Sequence, residues 1–467
     1  MLNVNQIFIV MVVVLGIVGA GVLIRKKYDI RVTLFGIGIF FMLIATLQGL
    51  PILPEASSSG LLFFDIFRQI ANTFISQLSG AGLIIMVLFG FTAYMNEIGA
   101  NQTCVKVISS PLLKVKNKRL IVPAFFFIAS SLCMIIPSAA SLGVLLMATA
   151  YPTLVSAGVS PLTAASMIAM AAGVAPTPLG SDNVIIHGYL NMSLHEYVFR
   201  YHALVSLPVI LLLCVVQYFW QGYCDKLDNQ LVTQKQVNVV NVVKPKAAPR
   251  FYAILPLLPL LFMFVFAILE MTGHTGVSLQ LVELTFVALL IAIFVDLIRT
   301  KNGQAAMATV KTFFTGMANG FVTVVVQVVA AMTFIHGLRV LGVIEALSSF
   351  TNEVLGGGLL AIVIFCLLIV AVGLLSGTGL SLFMGLIPLI PLFADDAGVS
   401  AVAMMISMQF TAHFTKTISP LSPVMIITSD MMGVNALALA KRTIVPSLIG
   451  ATLSILLAYV LFHRAGF

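Results

Sequence analysis

The chain has 467 residues, of which 60% are apolar and only 9% charged, against about 25% charged in soluble domains. At roughly 20 apolar residues per transmembrane helix, there is room for about ten to twelve spans and little for a separate aqueous domain. That excludes a soluble enzyme, a secreted disulfide scaffold and a nucleic-acid-binding module. The net charge of +8 comes from Lys and Arg clustered between apolar runs, the pattern of loops held at a cytoplasmic face. Cys104, Cys133, Cys214, Cys224 and Cys366 show no CxxC spacing and read as packing residues, with no redox role, metal or cofactor.

The first apolar run, residues 6–24, has no basic region before it and is followed at once by Arg25, Lys26 and Lys27, the reverse of a cleaved signal. It reads as a permanent helix that starts outside and ends in the cytoplasm. Further spans are expected at about residues 32–50, 82–94, 167–190, 204–220, 252–269, 282–298, 320–338, 402–431 and 445–462. Their alternation holds only if the long apolar stretches 120–150 and 359–393 each enter and leave on one side, as re-entrant hairpins. The basic residues then gather in the cytoplasm. Only Arg68, Arg200, Arg339 and Arg464 fall outside, and Lys416 is left within the membrane. The expected fold is an all-α polytopic membrane protein with ten transmembrane helices, two re-entrant hairpins and both termini outside the cytoplasm.

A polar linker from Gly222 to Arg250 divides the chain near its middle. On each side the order of elements is the same, with amphipathic stretches near residues 63–78 and 193–202 answered by 304–318 and 435–442. Ala157-Gly158-Val159-Ser160 returns as Ala397-Gly398-Val399-Ser400, and Arg200 corresponds to Arg442. The units are residues 1–222, a cytoplasmic linker 223–250, and residues 251–467. Each half has an odd number of spans, so the second copy is inverted, with the first hairpin entering from the cytoplasm and the second from outside. Inverted repeats in secondary transporters place the substrate near the bilayer midplane, where broken helices meet.

Four places interrupt apolar helix with Pro, Gly and hydroxyl residues: Pro137-Ser138-Ala139-Ala140-Ser141, Ala175 to Asp182, Ser376-Gly377-Thr378-Gly379-Leu380-Ser381, and Lys416 to Pro423. Two are hairpin tips and two lie inside spans. Backbone that leaves a helix at membrane depth must be satisfied by protein or a watery cavity, and each helix that restarts there offers free N–H groups to an anion. Ser138, Ser141, Thr177, Ser181, Ser376, Thr378, Ser381, Thr417, Ser419 and Ser422 supply hydroxyls around the breaks. Asp182 and Lys416 are charged at the same depth, where ionisable groups are functional candidates. Lys416 suits a substrate carboxylate, and Asp182 suits a proton or a pairing with Lys416. His187 and His413 are further proton candidates. Each has a bland alternative: Asp182 as a helix cap, Lys416 snorkelling, the histidines as satisfied core residues, and the hydroxyls bonded to their own helices. No GxxxxGK[ST], HExxH or GxSxG motif is present to indicate an enzyme.

With these segments in view, the sequence resembles the DcuC family of anaerobic four-carbon dicarboxylate carriers, within the ion transporter superfamily. The likeness is carried by Gly90-Phe91-Thr92-Ala93-Tyr94-Met95 with Ile98-Gly99-Ala100-Asn101, by Ser141 to Thr149, by Ala253-Ile254-Leu255-Pro256, by Ser419-Pro420 and by Lys441-Arg442-Thr443. It implies exchange or proton-coupled export of succinate, fumarate, malate or aspartate in a bacterial inner membrane. It also implies a homodimer in lipid, with fixed scaffold domains and mobile transport domains working as an elevator. The family's second tip usually reads Gly-Ser-Gly-Asn, and here it is Gly377-Thr378-Gly379-Leu380. Two alternatives stand beside this reading: a sodium or proton antiporter using Asp182, and a carrier of another organic anion.

Overall fold

The computed structural model describes residues 9, 11–12, 15–16, 18–19, 21–23, 26, 28–111, 117–171, 174–229, 248–271, 279–343, 358–377 and 379–463. Among them every regular element is helical. The elements that position the site are, in chain order, α1 (Ile30–Leu47), α2 (Leu62–Gln77), α3 (Leu83–Glu97), α4 (Lys118–Leu132), α5 (Ala139–Thr149), α6 (Pro161–Ala171), α7 (Ser181–Tyr189) and α8 (Ala203–Asn229). In the second half they are α9 (Gly303–Gly320), α10 (Val326–Val340), α11 (Gly358–Ser376), α12 (Gly379–Leu386), α13 (Ala401–Ile418), α14 (Pro423–Met432) and α15 (Ala436–Phe462).

Among the described residues, seven helical stretches are long and apolar enough to cross a membrane: Ile30–Leu47, Leu62–Glu97, Leu194–Asp228, Leu281–Thr300, Gly303–Val340, Gly379–Asp396 and Ala436–Phe462. Six of them match expected spans; the seventh, Gly379–Asp396, is the second arm of the expected second hairpin, and the expected spans 167–190, 252–269 and 402–431 are absent because their helices are short or broken. The first expected span, 6–24, is only partly described. On α8 the exposed apolar residues Leu204, Leu207, Leu211, Val215 and Phe219 recur every three or four positions. They form an outward apolar stripe, the reverse of a soluble helix. The chain is a multi-pass membrane protein.

Both long apolar stretches double back. Phe365 on α11 stacks on Phe393 with ring centroids 5.1 Å apart, whereas one uninterrupted helix would separate them by about 42 Å. In the first hairpin, Ile121 at the start of α4 and Thr149, Thr153 and Leu154 beyond the end of α5 line one cavity of about 320 Å³. Both expected interrupted spans are also interrupted: residues 174–180 before α7 and residues 419–422 between α13 and α14 are not helical. These broken helices form the middle of the molecule. Residues Thr163 to Ala171 and Val402 to Ala412 are buried without interruption, so both helices are enclosed on every side.

Three of the four amphipathic stretches, expected as separate elements, run on into the spans that follow them, and the first is set off from its span by a kink at Gly80 (φ −108°, ψ −122°). Three junctions are π-helical turns, at Leu78–Gly82, Tyr197–His202 and Phe321–Val325; the fourth continues as α15. A π turn inserts an extra residue without breaking the hydrogen-bond ladder, so the polar face can rotate while the helix continues. The expected linker also shortens, because α8 is helical to Asn229. Its Asp225 and Asp228 both pair with Arg442 on α15, which holds the last turn in place. Residues 230–247 of the linker lie outside the described residues.

The repeated tetrapeptides adopt the same turn. Gly158 and Gly398 both have positive φ, 91° and 65°. Val159 N–H bonds the Leu154 carbonyl at 3.0 Å, and Val399 N–H bonds that of Ala394 at 2.9 Å. This is a helix stop closed by a left-handed glycine.

Helices α3 and α9 cross where neither carries a side chain. A Cβ on Gly316 would lie 2.7 Å from Gly90 Cα and from the Phe89 carbonyl oxygen. Gly316→Val is therefore expected to cost about 2 kcal/mol by overpacking, read as a lower melting temperature in detergent. Gly188→Ala meets nothing within 4 Å and is the neutral control.

Candidate functional site

Pro176 and Pro178 have no N–H to give a helix, so residues 174–180 leave the helical path. The backbone groups freed there are taken up by side chains. Thr177 Oγ1 donates to the Met134 carbonyl at the first hairpin tip at 2.7 Å and accepts from Leu179 N–H at 3.1 Å. Asn183 Nδ2 donates to the Thr177 carbonyl at 2.7 Å. At the second break Ser419 caps α13, its N–H bonding the Thr415 carbonyl at 3.0 Å, and its hydroxyl donates to the Leu374 carbonyl on α11 at 3.2 Å. Each hairpin tip thus docks on the break of its own half. The halves meet where α5 packs on α14 and α7 faces α13.

That last contact holds the charged groups. Asp182 Oδ2 accepts from His413 Nε2 at 2.6 Å and from Gln409 Nε2 at 2.7 Å. Lys416 Nζ reaches His413 Nδ1 at 2.8 Å. Because an ammonium only donates, His413 Nδ1 accepts and its Nε2–H faces Asp182, a tautomer assigned from the network. Asp182 and Lys416 are therefore joined end to end through one imidazole. Gln409 is fixed in turn, its Nε2 also donating to Asn183 Oδ1 at 2.6 Å while its Oε1 accepts from Tyr197 OH at 2.7 Å. Asp182 is 5% exposed and Gln409 0%, so this is a dry network in which every bond counts.

A cavity of about 20 Å³ opens beside it. Its walls are Cys133 and Pro137 of the first tip, Ala175, Thr177, Gly180, Asp182 and Asn183 of the first break, and His202 and His413. That volume admits one water molecule. Among the described residues no group of three His, Cys, Asp or Glu is arranged to hold a metal.

Of the expected site residues, the structure joins Asp182, His413 and Lys416 directly, with Thr177 on the cavity wall. Asp182 does not cap: Gly180 holds the N-cap position of α7, and the carboxylate bonds across to α13. Ser138 caps α5, accepting from Ser141 N–H at 3.4 Å, and Ser181 opens α7. Thr417 bonds Ser447 of α15 at 2.7 Å, and Ser376 bonds the Val372 carbonyl of its own helix at 2.8 Å. Ser381, Ser419 and Ser422 are buried but stand off the cavity wall, and Thr378 lies outside the described residues. His187 Nδ1 meets the Met192 carbonyl at 3.1 Å, away from the network. Sequence reasoning missed Tyr197, His202 and Gln409. The one signal for Gln409 was a lone amide within the apolar run 402–414.

The family model described as "C4-dicarboxylate anaerobic carrier" matches residues 4–463. The anaerobic C4-dicarboxylate transporter DcuC of Escherichia coli strain K12 is 30% identical over 440 residues, 94% of each chain. Among solved structures, Neisseria gonorrhoeae MtrF, titled as illuminating a class of antimetabolite efflux pumps, superposes with a TM-score of 0.58 at 15% identity, covering 94% of this chain and 96% of that one. The Alcanivorax borkumensis YdaH transporter gives 0.57 at 14% identity, covering 92% and 98%. At such identities the two structures speak for the fold alone.

Proposed function

The chain belongs to the DcuC family of C4-dicarboxylate anaerobic carriers, and on that premise we propose that it exchanges succinate, fumarate, malate or aspartate across the bacterial inner membrane, or exports them with protons. It is a transporter and not an enzyme. The observation that carries the reading is the Asp182–His413–Lys416 chain, buried where a broken helix of one half faces a broken helix of the other. With no dianion bound, Lys416 and Asp182 neutralise each other through His413. A substrate carboxylate competes for Lys416, helped by the free N–H groups at the start of α7. A proton taken up at His413 offsets the Asp182 charge that would otherwise repel it. The doubled-back apolar stretches and the shared glycine turn support two related halves; inverted repeats, elevator transport and a homodimer are carried by the family likeness alone.

Radiolabelled succinate flux into proteoliposomes, with and without dicarboxylate loaded inside, tests this. Saturable uptake stimulated by internal dicarboxylate is expected, and no flux of any C4 dicarboxylate in either condition rejects it. Sodium or proton movement that needs Asp182 and ignores carboxylates would indicate cation antiport instead.

Lys416→Ala is expected to weaken succinate binding by about tenfold or more, the loss of a charge-assisted contact. Lys441→Ala, at an exposed position, is expected to leave it unchanged. Equal effects in competition assays would make Lys416 a snorkelling residue.

A further inference from the structure

His202 is 2% exposed and forms part of the cavity wall, yet its Nδ1 has no hydrogen-bond partner. A buried polar atom left unpaired costs stability and calls for an explanation. The other polar groups of that wall differ. Thr177 is bonded to Met134, Asn183 to Thr177 and Gln409, and Asp182 and His413 to each other. His202 is the wall residue with a ring nitrogen held in reserve.

The backbone sets it there. Tyr197–His202 is a π-helical turn, and π turns inside longer helices are frequent at functional sites. In an α-helix, residues five apart diverge around the axis. The wider turn keeps Tyr197 and His202 on one side, their rings edge to face with centroids 6.1 Å apart. Tyr197 uses its hydroxyl to fix Gln409. His202 rests against Phe410 of α13 at 4.8 Å, an apolar shelf that orients the imidazole and offers it no hydrogen bond.

Resting on the dicarboxylate reading above, we infer that His202 binds substrate, its imidazole donating to one carboxylate of the carried dianion while Lys416 takes the other. The charges favour this division. Asp182 and Lys416 cancel before substrate arrives, so a second buried carboxylate needs a donor of its own, and His202 is the unengaged one on the wall.

The test compares His202→Phe, which keeps a ring on Phe410, with His202→Asn, which keeps a donor near Nδ1. Succinate carries two carboxylates and butyrate one, so the readout is the preference for succinate over butyrate as competitors of labelled succinate exchange. His202→Phe is expected to lower succinate affinity by about tenfold, one charge-assisted hydrogen bond, with butyrate affinity unchanged. His202→Asn is expected to retain most of the preference. If the Phe variant does not assemble, His202→Leu takes its place. An intact preference in the donorless variant overturns the inference, as does an equal loss for both acids, which would make the ring a packing element. Wild-type carrier that exchanges no C4 dicarboxylate overturns the parent reading and this one together.

Discussion

Replacing His413 with glutamine is expected to leave succinate exchange running while abolishing its response to a pH gradient. Glutamine can donate to Asp182 and accept from Lys416, which preserves the two bonds His413 makes at 2.6 and 2.8 Å. It cannot take up and release a proton at neutral pH, as imidazole does. The groups facing His413 limit other routes. Asp182 comes from α7, Tyr197 and His202 from the π turn, Cys133 from the first tip, and Lys416 from the same helix. None but His413 bonds both charged ends. His413→Ala should be far worse, since it strips a bond from buried Asp182 and strands Lys416. Removing one member of a buried charged set costs about 3–5 kcal/mol. The measurement is labelled succinate counterflow at equal pH against uptake driven by an imposed pH difference, with melting temperature as a check on folding. Glutamine transport that still follows the pH gradient would move proton coupling to Asp182 alone.

The interruptions were legible because each is written in residues that cannot continue a helix. Pro176, Pro178, Pro420 and Pro423 remove N–H donors, and the hydroxyls beside them satisfy what is freed. The doubling back of residues 359–393 was legible for a different reason, the failure of charge alternation without it, and the Phe365–Phe393 stack shows the chain turning, although Gly379–Asp396 is itself long enough to cross a membrane. The participants drawn from helical surfaces were not legible. Gln409 and His202 each lie among other polar residues on their helices, and no period distinguishes a side chain facing lipid from one facing α7. The π turn at Tyr197–His202 compounds this, because the amphipathic pattern assumes 3.6 residues per turn and points His202 elsewhere. The amphipathic stretches were read as separate because their polarity changes at the junction, although the helical backbone continues at three of the four and kinks at Gly80 in the other.

The same limit separates Arg200 from Arg442, which correspond in sequence and not in surroundings. Arg200 is exposed and bonds Glu196 one turn back at 3.2 Å; Arg200→Ala is expected to cost about 0.5 kcal/mol or less, as exposed pairs do. Arg442 is 4% exposed. Its Nη1 donates to Asp225 and to Thr163 Oγ1, both at 2.7 Å, and its Nη2 to Asp228. Its carbonyl accepts from Trp220 Nε1 at 2.8 Å. One side chain thus ties α15 to α8 and α6, the end of the first half to the end of the second. Arg442→Ala should cost about 3 kcal/mol, reduced from the fully buried case because Asp225 and Asp228 are partly exposed, and should lower both the yield of folded carrier and its melting temperature. Arg442→Lys keeps the charge but loses the fork that spans two carboxylates, so an intermediate loss is expected. Neutralising the acids as well, in an Asp225→Asn, Asp228→Asn, Arg442→Ala variant, should recover part of the stability, because the charges left facing one another are what the single substitution exposes. A triple variant less stable than Arg442→Ala would show that the hydrogen bonds Asp225 accepts from Ser160 and Thr163, at 2.6 and 2.9 Å, matter more at this point than the unpaired charge.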